Sequence, residues 1–156
     1  NLLQAIVQDV DLSGADLTEA NFHAVNLSGS NFAGATMIRT SLTKTNMIGV
    51  NLSGADLTGA NLSEAKLHDA DMRGANMHKA DLPTADMTGA NLRGASFEDA
   101  NLTWSTMVNA DLRGVNFSKA NLGSADLSGA DLSGANLTGA RFCKTKMPTG
   151  MDNSDC

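Results

Sequence analysis

The chain has 156 residues, a formal net charge of −6 and 42% apolar residues, with 5 Phe, 1 Trp and no Tyr. Its length suits one domain. The acidic balance excludes a sequence-independent nucleic-acid binder, which needs a basic stripe. No apolar run approaches the roughly 18 residues of a membrane-spanning helix, so no membrane span is expected.

At the N-terminus, Leu2, Leu3, Ile6, Val7 and Val10 share one face at helical spacing. This predicts a short capping helix over residues 1–9, although the same residues also fit the first half of a coil in the pattern that follows. No signal peptide stands in this numbering. The pattern is already running at Leu2, so a leader is expected to have preceded it.

Residues 10–147 carry one unbroken repeat. Every fifth residue is apolar: Leu12, Leu17, Phe22, Leu27, Phe32, Met37 and onward to Leu137, Phe142 and Met147. Two residues before each stands Ala, or another small or β-branched residue such as Val10, Ser30, Thr40 or Val115. Asp or Asn usually occupies the position between. A period of five fits neither a 3.6-residue helix nor an alternating strand; it marks a solenoid of very short units. Residues two apart in an extended chain point the same way. The small and the large apolar residue therefore face one interior and the Asp or Asn faces out. The next two positions are also polar, so the chain must turn once per pentapeptide.

Glycine indicates how many turns close a coil. Positions 14, 34, 54, 74, 94, 114 and 134 are all Gly, whereas positions 24, 44, 64, 84, 104 and 124 hold Ala, Lys, Glu, Thr, Trp and Ser. Only a twenty-residue coil of four pentapeptides separates these sets. One corner then needs either a glycine backbone state or a bare surface on each coil. About seven coils, rising roughly 4.8 Å each, predict an all-β rod on the order of 35 Å long.

Residues 148–156 form a polar tail that stops the repeat at Pro148 and Gly150. The two cysteines, Cys143 and Cys156, lie outside any metal-ligand spacing. A disulfide between them would anchor the tail over the last layer and suit an oxidising compartment. The alternative is two unrelated thiols in a cytoplasm.

The segments Ala15-Asp16-Leu17-Thr18-Glu19, Ala55-Asp56-Leu57-Thr58-Gly59 and Ala90-Asn91-Leu92-Arg93-Gly94 resemble the A(D/N)LxX motif of pentapeptide-repeat proteins. The resemblance covers about residues 10–147 and implies a right-handed quadrilateral parallel β-helix. The tail from Phe142 to Cys156 is similar to the C-terminal close of secreted or thylakoid-lumen cyanobacterial members. That likeness implies export to a thylakoid lumen or periplasm, with a cytoplasmic location as the alternative. Some members of the family are acidic rods that mimic DNA and protect topoisomerases. They usually add a C-terminal dimer helix, and some add loops between coils. This chain has neither, so an acidic mimic of that kind is the alternative reading, and a monomer is expected.

The twenty-residue coil assigns each side chain to a wall. His68 and His78 fall on opposite faces and His23 on a third, so no metal site is expected. Ser and Thr line flat outer walls, where neither a catalytic base nor a cofactor cleft is expected. Nine of the 14 Asp precede the large apolar residue and interchange with Asn, which points to local turn bonding rather than to charge. The Asn-x-Ser/Thr matches at Asn26, Asn51, Asn61, Asn101 and Asn136 are by-products of the repeat. Two outward features remain as candidate interaction surface for a protein partner. Arg73, Arg93 and Arg113 stack on one wall, with Asp71 and Asp111 beside them as local partners. Trp104, with Pro83, Thr84, Thr103 and Ser124 nearby, is either a partner anchor or a cover for the wall.

Overall fold

The computed structural model describes residues 7–156. They form a right-handed quadrilateral parallel β-helix. Parallel bridges join residues twenty apart on each of four faces: Asp11, Asn31, Asn51, Asp71, Asn91, Asp111 and Asp131 form one such ladder. Between bridges the hydrogen bonds alternate. Leu12 N–H donates upward to the Asn31 carbonyl at 2.8 Å, and Asn31 N–H donates downward to the Val10 carbonyl at 2.8 Å.

Each pentapeptide ends in a tight turn. Ala15 N–H donates to the Leu12 carbonyl at 3.1 Å, around Ser13 and Gly14. The Asp or Asn before the apolar residue reinforces it: Asp16 Oδ1 accepts from Thr18 N–H at 3.0 Å and from Thr18 Oγ1 at 2.7 Å. Short polar side chains that accept from the backbone two residues on are the Asx geometry that favours such turns. The second residue of each turn lies in the left-handed region whatever its identity, from Gly14 (φ 66°) to Lys44 (59°), Glu64 (58°), Thr84 (57°) and Trp104 (62°). The expectation that glycine marks a special backbone state at one corner is therefore resolved in favour of bareness: all corners share the state. The glycine corner has an open surface, where a Cβ at Gly14, Gly34, Gly54, Gly74, Gly94 or Gly114 would meet nothing within 4 Å.

The interior is filled by alternating small and large side chains. Ala75, Ala80 and Ala85 and the neighbouring Met77, Leu82 and Met87 are all buried. Threonines at the small position bond to the coil below, as Thr45 Oγ1 donates to the Phe22 carbonyl at 3.0 Å and Thr145 Oγ1 to the Leu122 carbonyl at 2.8 Å, whereas Ser105 Oγ donates to the Leu102 carbonyl of its own turn at 2.8 Å. Phe97 and Phe117, one coil apart, stack at 5.4 Å between ring centroids.

The helix expected over residues 1–9 falls mostly on residues 1–6, outside the described residues. Of the remainder, Val7 and Asp9 donate N–H groups to the Asn26 and Ser28 carbonyls at 2.9 and 3.2 Å, in the manner of the repeat. At the other end the tail forms a hairpin. Strand β1 (Thr145–Met147) pairs antiparallel with β2 (Gly150–Asp152) around Pro148 and Thr149. The expected division at residue 147 thus runs through the hairpin, because β1 also belongs to the last pentapeptide, where Lys146 bridges Asp126. Cys143 and Cys156 are joined as a disulfide, with Cα atoms 4.8 Å apart.

Candidate interaction surface

The solenoid places Arg73, Arg93 and Arg113 directly above one another, since Gly54, Gly74 and Gly94 donate in turn to their carbonyls at 2.9 to 3.0 Å. Two of the three are neutralised within their own pentapeptide. Arg73 Nε and Nη2 donate to Asp71 Oδ1 and Oδ2 at 2.8 and 2.6 Å, and Arg113 meets Asp111 with the same distances. Such two-pronged pairing is geometrically specific. The Arg113 hydrogen bonds hold the Asp111 carboxyl well below the ordinary range, at about 2, and Arg73 lowers Asp71 likewise. Arg93 differs because Asn91 stands where the others have Asp; Asn91 Oδ1 accepts only the Arg93 backbone N–H, at 3.3 Å. Among the described residues no carboxylate pairs with its guanidinium. The stripe therefore presents one free cation between two neutralised ones.

The next corner is paired in part, with Arg39 on Glu19 at 2.7 Å and Lys119 on Glu98 at 3.4 Å. Trp104 is 67% exposed. Its backbone keeps the ladder, donating to the Gly123 carbonyl at 3.0 Å, while small or rigid residues (Pro83, Thr84, Gly123, Ser124) leave the indole uncovered.

One contact was not anticipated from the sequence. His68 Nε2 lies 2.8 Å from Asp86 Oδ2, across a shallow groove lined by Glu64, Ala65, Lys66, His68, Thr84 and Asp86. The pair is eighteen residues apart, so it joins a residue following the apolar position of one coil to the outward Asx position of the next. Asn76 Nδ2 donates to Thr58 Oγ1 at 3.0 Å over the same separation. An offset of eighteen would have been the signal to look for. The groove lacks a paired nucleophile, because Thr84 Oγ1 donates to the Pro83 carbonyl at 2.6 Å. Among the described residues no three His, Cys, Asp or Glu side chains could jointly hold a metal ion.

A family profile for pentapeptide repeats matches in 8 copies, over residues 1–34, 20–59, 51–89, 95–134 and 110–147. The chain belongs to the pentapeptide-repeat family. Among solved structures, a pentapeptide repeat protein from the Arabidopsis thaliana thylakoid lumen is 33% identical, with a TM-score of 0.58 over 60% of this chain and 67% of that one. HetL, a pentapeptide repeat protein involved in heterocyst differentiation regulation from the cyanobacterium Nostoc sp. strain PCC 7120, is 27% identical, with a TM-score of 0.36 over 96% of this chain and 90% of that one. QnrB1, a plasmid-mediated fluoroquinolone resistance protein, is 21% identical, with a TM-score of 0.49 over 95% of this chain and 77% of that one. No curated protein matches significantly.

Proposed function

We propose that the protein is a non-enzymatic rigid scaffold that binds a protein partner with one wall of its rod, anchored by Trp104, in a thylakoid lumen or periplasm; the stripe of Arg73, Arg93 and Arg113 stands on the opposite wall as a second, separate candidate surface. The observation that carries this reading is Trp104, 67% exposed and, among the described residues, the most exposed of the large apolar side chains at the surface, ahead of Met151 and Ile48. An exposed indole offers a large apolar area with few rotamers to freeze, which suits a binding hot spot. The disulfide supports an oxidising compartment, and the likeness to a thylakoid-lumen protein agrees with it.

The acidic-mimic alternative is weaker on electrostatic grounds. Asp71, Asp111 and Asp126 are each covered by a cation, and Arg73, Arg93 and Arg113 break up the wall that carries Asp71, Asp111 and Asp131. A supercoiling assay in which the protein leaves topoisomerase inhibition unchanged is expected.

The direct test is recovery of a partner from the native compartment on immobilised protein. Truncating a hot-spot side chain costs at least about 2 kcal/mol, so Trp104→Ala should lower recovery roughly thirtyfold. The triple substitution of Arg73, Arg93 and Arg113 by Ala, on the opposite wall, should spare recovery through Trp104 and lower only recovery of a partner held on the arginine wall, with Arg93→Ala alone accounting for most of that loss. Equal recovery by wild type and Trp104→Ala would remove the anchor.

A further inference from the structure

The C-terminal end of the rod is closed by a strap rather than by another coil. Lower in the rod, the large apolar residue and the residue two beyond it donate N–H groups to the coil above, as Leu122 does to Arg141 at 2.9 Å and Ser124 to Cys143 at 2.7 Å. The equivalent groups of Phe142 and Lys144 are met by side chains of the tail. Asp155 Oδ2 accepts from Phe142 N–H at 2.6 Å, and Asn153 Oδ1 accepts from Lys144 N–H at 3.0 Å. Asp155 N–H donates back to the Phe142 carbonyl at 2.8 Å. Cys143 lies between these two substitutes and carries the bond to Cys156 across a separation of 13 residues. The tail itself is anchored lightly: Met151 is 60% exposed and residues 153–156 are all exposed.

We propose that the Cys143–Cys156 bond is a redox-operated latch on the end of the rod, which a dithiol reductant opens without unfolding the coils below. A reductant thiolate attacks the exposed Cys156 sulfur, and the S–S bond breaks, expelling Cys143 as a thiolate that takes up a proton. The reductant's second thiol, deprotonated, then attacks the reductant's own sulfur in the mixed disulfide, and Cys156 leaves as a thiolate that takes up the second proton. The protein gains two electrons and two protons, and the reductant becomes a disulfide. Residues 148–156 are then free to leave, and the edge at Phe142 and Lys144 loses its acceptors and becomes open to strand pairing. The opening stays local because each coil of a solenoid contacts only its neighbours.

Hydrogen exchange of the intact chain tests this, before and after dithiothreitol without denaturant, with reduction verified as a mass gain of two hydrogens. Exchange at Phe142 and Lys144 should quicken about a hundredfold, the factor expected when a closed loop of this size is freed. Leu82, in mid-rod, should be unchanged. A Cys143→Ser/Cys156→Ser variant should reproduce the reduced pattern; if it does not fold, the reduced wild type decides alone. The proposal is overturned if the bond resists dithiothreitol in the folded protein, if Phe142 and Lys144 stay protected once it is reduced, or if Leu82 quickens to the same extent.

Discussion

At the scale of the residue, the turn geometry is more demanding than its composition suggests. Side chains as different as Lys44, Glu64, Thr84 and Trp104 are held at φ between 57° and 62°. An L-residue there costs roughly 1–2 kcal/mol, and a β-branched one is the least suited. Thr84 is that case, and its hydroxyl bonds only the preceding carbonyl. Thr84→Gly should therefore stabilise the protein by about 1 kcal/mol after the extra chain entropy of Gly is deducted, seen as a higher urea midpoint with an unchanged slope. The Asx residues carry a second consequence. Hydrogen bonds from Arg113 lower the Asp111 pKa to about 2, and bonds from Ser13, Thr18 and Ser133 lower Asp11, Asp16 and Asp131. A carboxyl with a folded pKa below its unfolded value contributes stability that is complete above the unfolded value and is lost as pH falls through the folded one. Thermal midpoints should thus be level from neutral pH to about 4 and fall between about 4 and 2. Asp111→Asn should flatten part of that fall while keeping its turn, because Asn retains the Oδ1 acceptor.

At the scale of the element, one pentapeptide is a bridge, a turn and two interior side chains, and it is stable only between two others. The small interior position sets the tolerance. Ala75 is 1% exposed and lies between Ala55 and Ala95 of the adjacent coils, with Met72 and Met77 beside it in the chain. Ala75→Leu has no space to fill and should cost roughly 1–3 kcal/mol, measured by chemical denaturation. Thr enters the same position without that cost, because Thr40, Thr45 and Thr145 reach a carbonyl of the coil below at 2.8 to 3.0 Å.

At the scale of the whole molecule, stability is the sum of near-identical coils and their contacts, and it should fall toward the ends. Leu12, Leu17, Leu132 and Leu137 are only partly buried, whereas the inward-facing large apolar residues from Leu27 to Leu127 are enclosed. Amide exchange should therefore be slowest around Leu57 to Phe97 and fastest near Leu12 and Leu137, a gradient readable by mass spectrometry. Uniform exchange along the rod would mean that the coils open as one unit. The same stiffness supports the proposed function, since a rod that does not refold holds Trp104 at a set place on its wall and spends little ordering it on binding.

The repeat period, the four-sided coil, the inward and outward assignment of side chains and the turn role of Asp and Asn were all legible in the sequence. Each follows from local stereochemistry repeated without interruption. The pairing of Arg73 with Asp71 and of Arg113 with Asp111 was legible for the same reason, as both partners lie in one pentapeptide. Tertiary structure decided what depends on stacking between coils or on the end of the rod. It brought His68 to Asp86 of the next coil, left Trp104 exposed and folded the tail back as a hairpin, after which Asn153 and Asp155 stand in for a further coil. A periodic code specifies where a residue points, but reach between layers and closure of an end depend on side-chain length and neighbours that the period leaves free.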